Sequence, residues 1–293
     1  MFLLLASIVL SSYLTLSFKL VERLGLNTFQ VIVFNYITCV ITGSIVNGAF
    51  PIGPAITKEP WFYWACLMGA AFISLFNLIA FITQRLGVAV ASVANKLSLV
   101  IPFLFSIYLY QEKAGALRIL GILIALTAVV LTCWPSGKKS ENEHHKLSPL
   151  LLFAPALLFI GSGLLDTMIK YVEHHFINPS NQDSYLISAF AAAGTFGTIY
   201  LVYQFITQKQ HFSWKAMAMG IGIGIPNYFS IWSLMKVLQQ NAGNSSAILP
   251  INNMGIVLFS TVVAMWSFKE KLSGWNWVGI ILSLGAIALI AFG

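Results

Sequence analysis

The sequence predicts an all-α membrane protein with ten transmembrane helices in two inverted repeats of five. Three observations predict it. The chain has 293 residues, 58% hydrophobic and only 9% charged, with a mean hydropathy of +0.83, whereas a soluble domain carries about 25% charged residues. Its apolar runs are the length that crosses a bilayer as a helix, roughly 20 residues. Finally, residues in the first half of the chain recur in the same order in the second.

The composition also excludes function classes. Nine per cent charge is too little to wet the surface of a soluble fold, so a soluble enzyme, a DNA-binding protein and a disordered linker are all poor readings. The net charge of +7 is then topology rather than a nucleic-acid footprint. Cys39, Cys66 and Cys133 stand singly in apolar runs without metal-ligand spacing and read as small core residues. Residues 2–10 have the apolarity of a signal-peptide core. No basic segment precedes them and no small-residue cleavage site follows, so they are expected to stay as the first helix.

The ten expected spans are 2–18, 29–47, 61–83, 88–110, 116–134, 148–170, 184–207, 214–238, 246–267 and 274–292. Strict two-residue alternation is absent, which excludes a barrel. Residues 136–146, SGKKSENEHHK, are the most polar interruption and read as a solvated linker between near-equal halves. Residues 171–183 read as a turn-rich loop holding Pro179 and Asn181.

The repeat rests on position. A shift of 158 residues carries Gln111-Glu112-Lys113 onto Lys269-Glu270-Lys271, Asn95 onto Asn253 and Gly121 onto Gly279. Near the start of each half, Lys19-x-x-Glu22 matches Lys170-x-x-Glu173, and Asn27-Thr28-Phe29 matches Asp183-Ser184-Tyr185, with Asn27 and Asp183 as expected N-caps. The common order indicates a duplication. With five helices per copy, the second copy must enter the membrane from the opposite side. Inverted repeats of this kind are a plan of secondary transporters, which bind substrate near the midplane where the repeats meet.

Residues 87–131, with Asn95-Lys96, Pro102 and Glu112-Lys113 followed by a glycine-containing helix, and residues 245–289, with Pro250 and Glu270-Lys271, resemble the drug/metabolite transporter superfamily, specifically its EamA-type carriers. The second copy places its proline earlier. The resemblance implies a first EamA-like repeat over 1–135, a polar linker over 136–147 and a second repeat over 148–293. Asn95-Lys96 also resembles the Asn-Lys pair of nucleotide-sugar carriers in the superfamily. Those carry it in the second repeat, where this chain has Asn253-Met254.

Basic residues fall unevenly on the two faces. The connections after helices 1, 3, 5, 7 and 9 hold ten and the opposite face holds five, so the positive-inside rule puts both termini outside. Carriers of the resembled family have both termini inside, and both orientations stay open.

Lys96 is the sixteenth basic residue and lies within a span. A lysine at mid-bilayer costs about 2.5–3.5 kcal/mol on insertion scales. Its functional reading is a cavity lysine attracting an acceptor group; the structural alternative is a lysine that snorkels or pairs. Asn95 and Asn253 are expected to face each other across the pseudo-twofold, with Asn252 beside the second. Amides suit a polar cavity and equally well glue helices together. Ser92, Asn95 and Ser98 are expected on one polar face. Asn77 and Asn227 are further intramembrane amides, and Tyr228 and Trp232 lie four apart as an aromatic wall. Gly220 and Gly224 read as a packing pair, and Pro102, Pro226 and Pro250 as bends. Asp166 is the one acidic residue well inside a span, read as an ion pair with Lys170, as a proton-coupling carboxylate or as the counter-charge for Lys96. Glu112 and Glu270 are expected to clamp the free N–H groups of the helix that follows each.

No catalytic constellation, metal site or phosphate-binding loop is present in the sequence, and His144, His145, His174, His175 and His211 all lie between spans. The expectation is a multi-pass carrier of a small polar metabolite in the cell (cytoplasmic, inner) membrane. It would work by alternating access, by proton coupling or exchange, and need no cofactor. The bilayer and a small-molecule substrate are its partners, with no nucleic acid. A membrane-embedded enzyme and a non-transporting scaffold are the rival classes.

Overall fold

The structure is a computed structural model that describes all residues except 1, 52, 54–55, 111–114, 133–148, 179, 208–209, 241–244 and 293. The linker at 136–147 and the residues Glu112, Lys113 and Cys133 therefore lie outside the described residues. Within them the chain is helical throughout, with no strand: α1 Phe2–Arg23, α2 Thr28–Asn47, α3 Phe62–Leu86, α4 Val88–Leu97, α5 Val100–Tyr110, α6 Ala116–Thr132, α7 Pro149–Phe176, α8 Gln182–Thr207, α9 Trp214–Gln240, α10 Ser245–Phe268 and α11 Gly274–Phe292. Among the described residues seven stretches are long and apolar enough to cross a membrane, so the architecture is that of a multi-pass membrane protein. Large apolar side chains such as Ile45, Tyr63, Ile206 and Trp266 are exposed, which lipid tolerates and water does not.

Polar helix extensions shift three expected boundaries. α1 runs on through Lys19, Glu22 and Arg23, and α7 runs on to Phe176. The expected loop at 171–183 shrinks to residues 177–181, where the Asn178 side chain accepts from the backbone N–H groups of Ser180 and Asn181 at 3.0 and 3.2 Å. Asp183 sits inside the first turn of α8 rather than at its cap, where a carboxylate still suits the helix dipole. Asn27 is the N-cap of α2 as expected, its side chain accepting from Gln30 N at 3.0 Å.

The expected helix over 88–110 is two helices. Pro102 causes the break: it has no N–H to give and its ring clashes with the carbonyl four residues earlier, that of Ser98. The Ser98 carbonyl instead accepts from Ile101 N at 2.9 Å, a tighter turn that ends α4 before α5 begins. Pro250 interrupts nothing, and α10 is continuous from Ser245 to Phe268.

The described chain forms two compact units, Met1–Lys19 with Leu78–Leu164 and Ser230–Gly293, and Leu20–Asn77 with Leu165–Phe229. Each draws on both halves of the sequence. In the first unit α6 and α11 pack antiparallel through small residues. A Cβ on Gly121 would lie 3.1 Å from Ala286 O and 2.9 Å from the Ile290 side chain. One on Gly279 would lie 2.9 Å from Ala128 O and collide with Thr132. Lipid tails are as apolar as the helices, so close backbone approach and dispersion carry such pairings. α4 and α10 also run antiparallel, joined by the Ser260–Ser92 hydroxyl pair at 2.9 Å.

The clamp expected of Glu270 at the start of α11 is formed by other side chains. The start of α11 has its own box: Asn276 Oδ1 accepts from Ser273 N at 2.9 Å and Ser273 Oγ accepts from Asn276 N at 3.2 Å. Asn276 Nδ2 then donates to Thr132 O at 2.7 Å, closing the end of α6. Replacing Asn276 with Ala is expected to cost about 1–2 kcal/mol, read as a lower melting temperature in detergent. An unchanged melting temperature would refute the cap.

In the second unit α2 packs antiparallel on α8, with Gly194 against Tyr36 and Ile37. Tyr36 OH donates to Phe72 O at 2.9 Å, and its ring lies among those of Phe72, Phe76 and Phe190. α9 approaches α2 through Gly220 and Gly224, the packing role expected for that pair: their added Cβ atoms would meet Val31 O at 2.8 Å and Asn35 O at 2.6 Å.

Candidate functional site

In the first unit the helix break organises the polar residues. α4 is ten residues long and Lys96 occupies its last turn. The final carbonyls of a helix have no intrahelical partner and carry its negative end. A lysine there gains about 0.3–1 kcal/mol, up to about 2 in partly buried geometry. That offsets only part of the insertion cost of about 2.5–3.5 kcal/mol. Lys96 is thus tolerated by the break but not explained by it.

Around it, Asn253 Nδ2 of α10 approaches Lys96 O at 3.5 Å, a long contact. The amide expected opposite Asn95 thus reaches the main chain of the next residue. Asn95 O accepts from Ser98 Oγ at 2.5 Å. Of the three hydroxyl and amide groups expected on one polar face, Ser92 pairs with α10 and Ser98 turns back on its own helix. Asn95, Lys96 and Asn253 are half-buried, whereas Asn252 is 2% exposed. Its Oδ1 is buried and has no hydrogen-bond donor among the described residues. An acceptor left so costs about 1–3 kcal/mol. On the far side of the break, Gly163 of α7 packs so closely that an added Cβ would be 2.8 Å from Ser98 O. The break is held on one side by a glycine and on the other by an amide. Trp232 is in the same unit, with Lys236 Nζ over its ring at 5.9 Å.

The remaining expected residues lie in the second unit. Asn227 Nδ2 donates to Asn35 Oδ1 at 3.1 Å, both being buried. Cys39 Sγ is beside them, donating to Gly224 O at 3.3 Å. Asn35, at the heart of the run VIVFNYITC over 31–39, is a residue that sequence reasoning missed. It meets the criterion that singled out Asn77, an amide deep in an apolar run. Tyr228 is buried with its ring against Gly43 of α2, filling the space where a Cβ would sit. Asn77 Nδ2 donates to Ile73 O at 2.7 Å, four residues back on its own helix. It lines a shallow open groove with Phe29, Ile73, Ser74, Phe196 and Tyr200. Asp166 is half-buried on α7. Gln30, also missed, joins α2 to the segment before α9: its Nε2 donates to His211 O at 2.9 Å and its Oε1 accepts from Ser213 N at 3.1 Å.

The structure therefore gathers Asn95, Lys96, Asn252 and Asn253 at the break in one unit and places Asn77, Asp166, Asn227 and Tyr228 in the other. Among the described residues no group of three or more His, Cys, Asp or Glu side chains could hold a metal. The gathered set of amides and one ammonium can donate and accept hydrogen bonds and attract negative charge.

Comparison with known proteins bears on the fold. No protein-family model matches the chain. An uncharacterized protein of Haemophilus influenzae is 24% identical over 293 residues, with 97% of this chain and 95% of that protein covered. A protein solved by crystallography superposes with a TM-score of 0.62 over 98% of this chain and 94% of its own, at 14% identity, and so has the same fold.

Proposed function

We propose that the chain is a secondary carrier of a small polar metabolite. It spans the cytoplasmic (inner) cell membrane ten times as two inverted repeats of five helices and works by alternating access. The observation that carries this reading is the broken helix. α4 ends inside an otherwise apolar span and presents a lysine in its last turn, beside amides of α10. Carriers use such half-helix ends to hold polar substrates at membrane depth. An inert scaffold has no reason to bear the cost of one.

The inverted repeat is supported by reciprocal contacts. Gly121 of α6 sits on Ala286 and Ile290 of α11, and Gly279 of α11 sits on Ala128 and Thr132 of α6. Each partner lies 158 residues from its counterpart, the shift that relates the two halves. A twofold axis between antiparallel copies produces this exchange of partners; a chance packing does not. The resemblance to EamA-type carriers points the same way.

The proposed substrate site is the set at the break. Lys96 binds an acceptor group, while Asn95, Asn252 and Asn253 read the polarity of the rest. The test is a thermal-shift screen of metabolites on the purified protein, followed by uptake into proteoliposomes with and without a pH gradient. A metabolite at about 100 times its Kd stabilises the folded state by about 2.7 kcal/mol. The expected result is one chemical class that both raises the melting temperature and accumulates in the vesicles. Folded protein that no metabolite stabilises and that moves none would sink the proposal. A gradient that changes the rate would assign proton coupling, and one that does not would assign exchange or facilitated diffusion.

A further inference from the structure

The end of α10 meets the start of α4 through one side chain. Glu270 Oε1 and Oε2 accept from the Val88 backbone N–H at 3.0 and 3.2 Å, across 182 residues of sequence. Val88 opens α4, and its N–H is one that no carbonyl of that helix can serve. The carboxylate also suits the positive end of the helix dipole.

Two unusual backbone conformations converge on this contact. Lys269 has φ 55 and is the one non-glycine residue of positive φ among the described residues. Left-handed backbone disfavours a side chain such as lysine. Here it turns the chain so that Glu270 N folds back towards Ala264 O at 3.4 Å and the carboxylate leaves its own hairpin. Opposite, Gly87 has φ 102 and ψ 163, a region that is essentially glycine-only. A Cβ there would be 3.1 Å from Glu270 Oε2. Both departures serve one hydrogen-bonded joint. The neighbouring helix start at α11 needs neither, being capped by Ser273 and Asn276.

The joint lies at the other end of the helix that carries Lys96. α4 ends at the break, so its ten residues form a short rod with its own two ends. At about 1.5 Å per residue, roughly 12 Å separates Val88 from Lys96. Glu270 fixes one end of the rod, and Asn253 approaches the other. A shift at Val88 is passed along α4 rather than absorbed by a longer helix.

We propose that Glu270 is the positioning residue of the Lys96 site. By holding the start of α4 it sets where Asn95 and Lys96 lie, and the turn between α10 and α11 thereby controls the substrate site at the opposite end of that rod. This rests on the substrate-site reading above, and its test uses no substrate. The reporter is Asn95→Cys in the full chain, labelled with N-ethylmaleimide and quantified at that peptide by mass spectrometry. The parent chain supplies the background.

Adding Glu270→Ala is expected to change the labelling rate at the reporter by about tenfold, the loss of a charge-assisted hydrogen bond read as a population. Glu270→Gln keeps an acceptor for Val88 N and is expected to stay within about threefold of the parent. Asn276→Ala loosens the nearby start of α11 and is expected to lower the melting temperature without moving the reporter. If Glu270→Ala does not fold, Gly87→Ala replaces it, because the added Cβ displaces the carboxylate and must move the reporter too. An unmoved rate in the folded variant overturns the inference, as does an equal change in Asn276→Ala. A chain that transports nothing can still pass this test, and active transport with an unmoved reporter removes this inference alone.

Discussion

Gly224→Leu is expected to leave the protein unable to reach a folded, monodisperse state in detergent. An added Cβ at that position would be 2.5 Å from Thr38 Cβ and 2.6 Å from Asn35 O. The second partner is backbone, so a side chain cannot simply rotate away; α2 itself has to move. Overpacking costs about 1–3 kcal/mol on its own. Moving α2 also breaks the Asn227–Asn35 bond at 3.1 Å and the Cys39 bond to Gly224 O at 3.3 Å. Each such bond is worth about 0.6 kcal/mol on average between membrane helices, more when one partner stays buried and unserved. The sum is a large part of a total stability of about 5–15 kcal/mol. The control is two residues away. Among the described residues no atom beyond its own helix backbone lies within 4 Å of a Cβ added at Gly222, so Gly222→Ala is expected to hold or raise the melting temperature, alanine being better than glycine in a helix by about 0.8–1 kcal/mol. Size-exclusion profiles and melting temperatures of the two variants check this. Equal behaviour would mean that α9 does not pack on α2 as described.

Lys96→Met is expected to reduce uptake in proteoliposomes at least tenfold in protein that still purifies folded and monodisperse. Methionine keeps most of the length and apolar stem of lysine but removes the charge, and with it the insertion cost of about 2.5–3.5 kcal/mol. A lysine kept only for its packing would transport as before, because methionine supplies a similar apolar stem. Lys96→Arg keeps the charge in a planar fork rather than a compact ammonium and is expected to retain transport with altered kinetics. Unchanged uptake in Lys96→Met would remove the residue from the site.

Helix content was legible because it depends on apolar run length, which local sequence records. The long segments α2, α3, α8 and α10 fall within a few residues of the expected spans. The misses came from polar residues. α1 and α7 continue through Lys19, Glu22 and Glu173 because helical propensity does not stop where hydrophobicity does. Pro102 signalled a bend; the full break at Ser98–Leu99 also depends on Gly163, which lets α7 come close to the freed carbonyl. The site was half legible. Lys96, Asn95, Asn252 and Asn253 stand out as polar residues in apolar runs and do gather. Asn227 and Tyr228 stand out in the same way, yet their burial against α2 was set by Asn35 and Gly43, and neither carries a local signal for that partner. Glu270 was expected to serve its neighbour because spacing shows what is near in sequence. Only the fold shows that it serves Val88.

The polar joints of this protein have a consequence for its synthesis. Gln30 finds its partners 181 and 183 residues later, Asn35 finds Asn227 192 residues later, and Val88 finds Glu270 182 residues later. When the first helices leave the ribosome, these distant partners are not yet in the chain. The early residues must wait at membrane depth, or in the care of the insertion machinery, until the second half arrives. Neither half made alone can supply these partners, so the two must be born together or be supplied to one another as separate pieces.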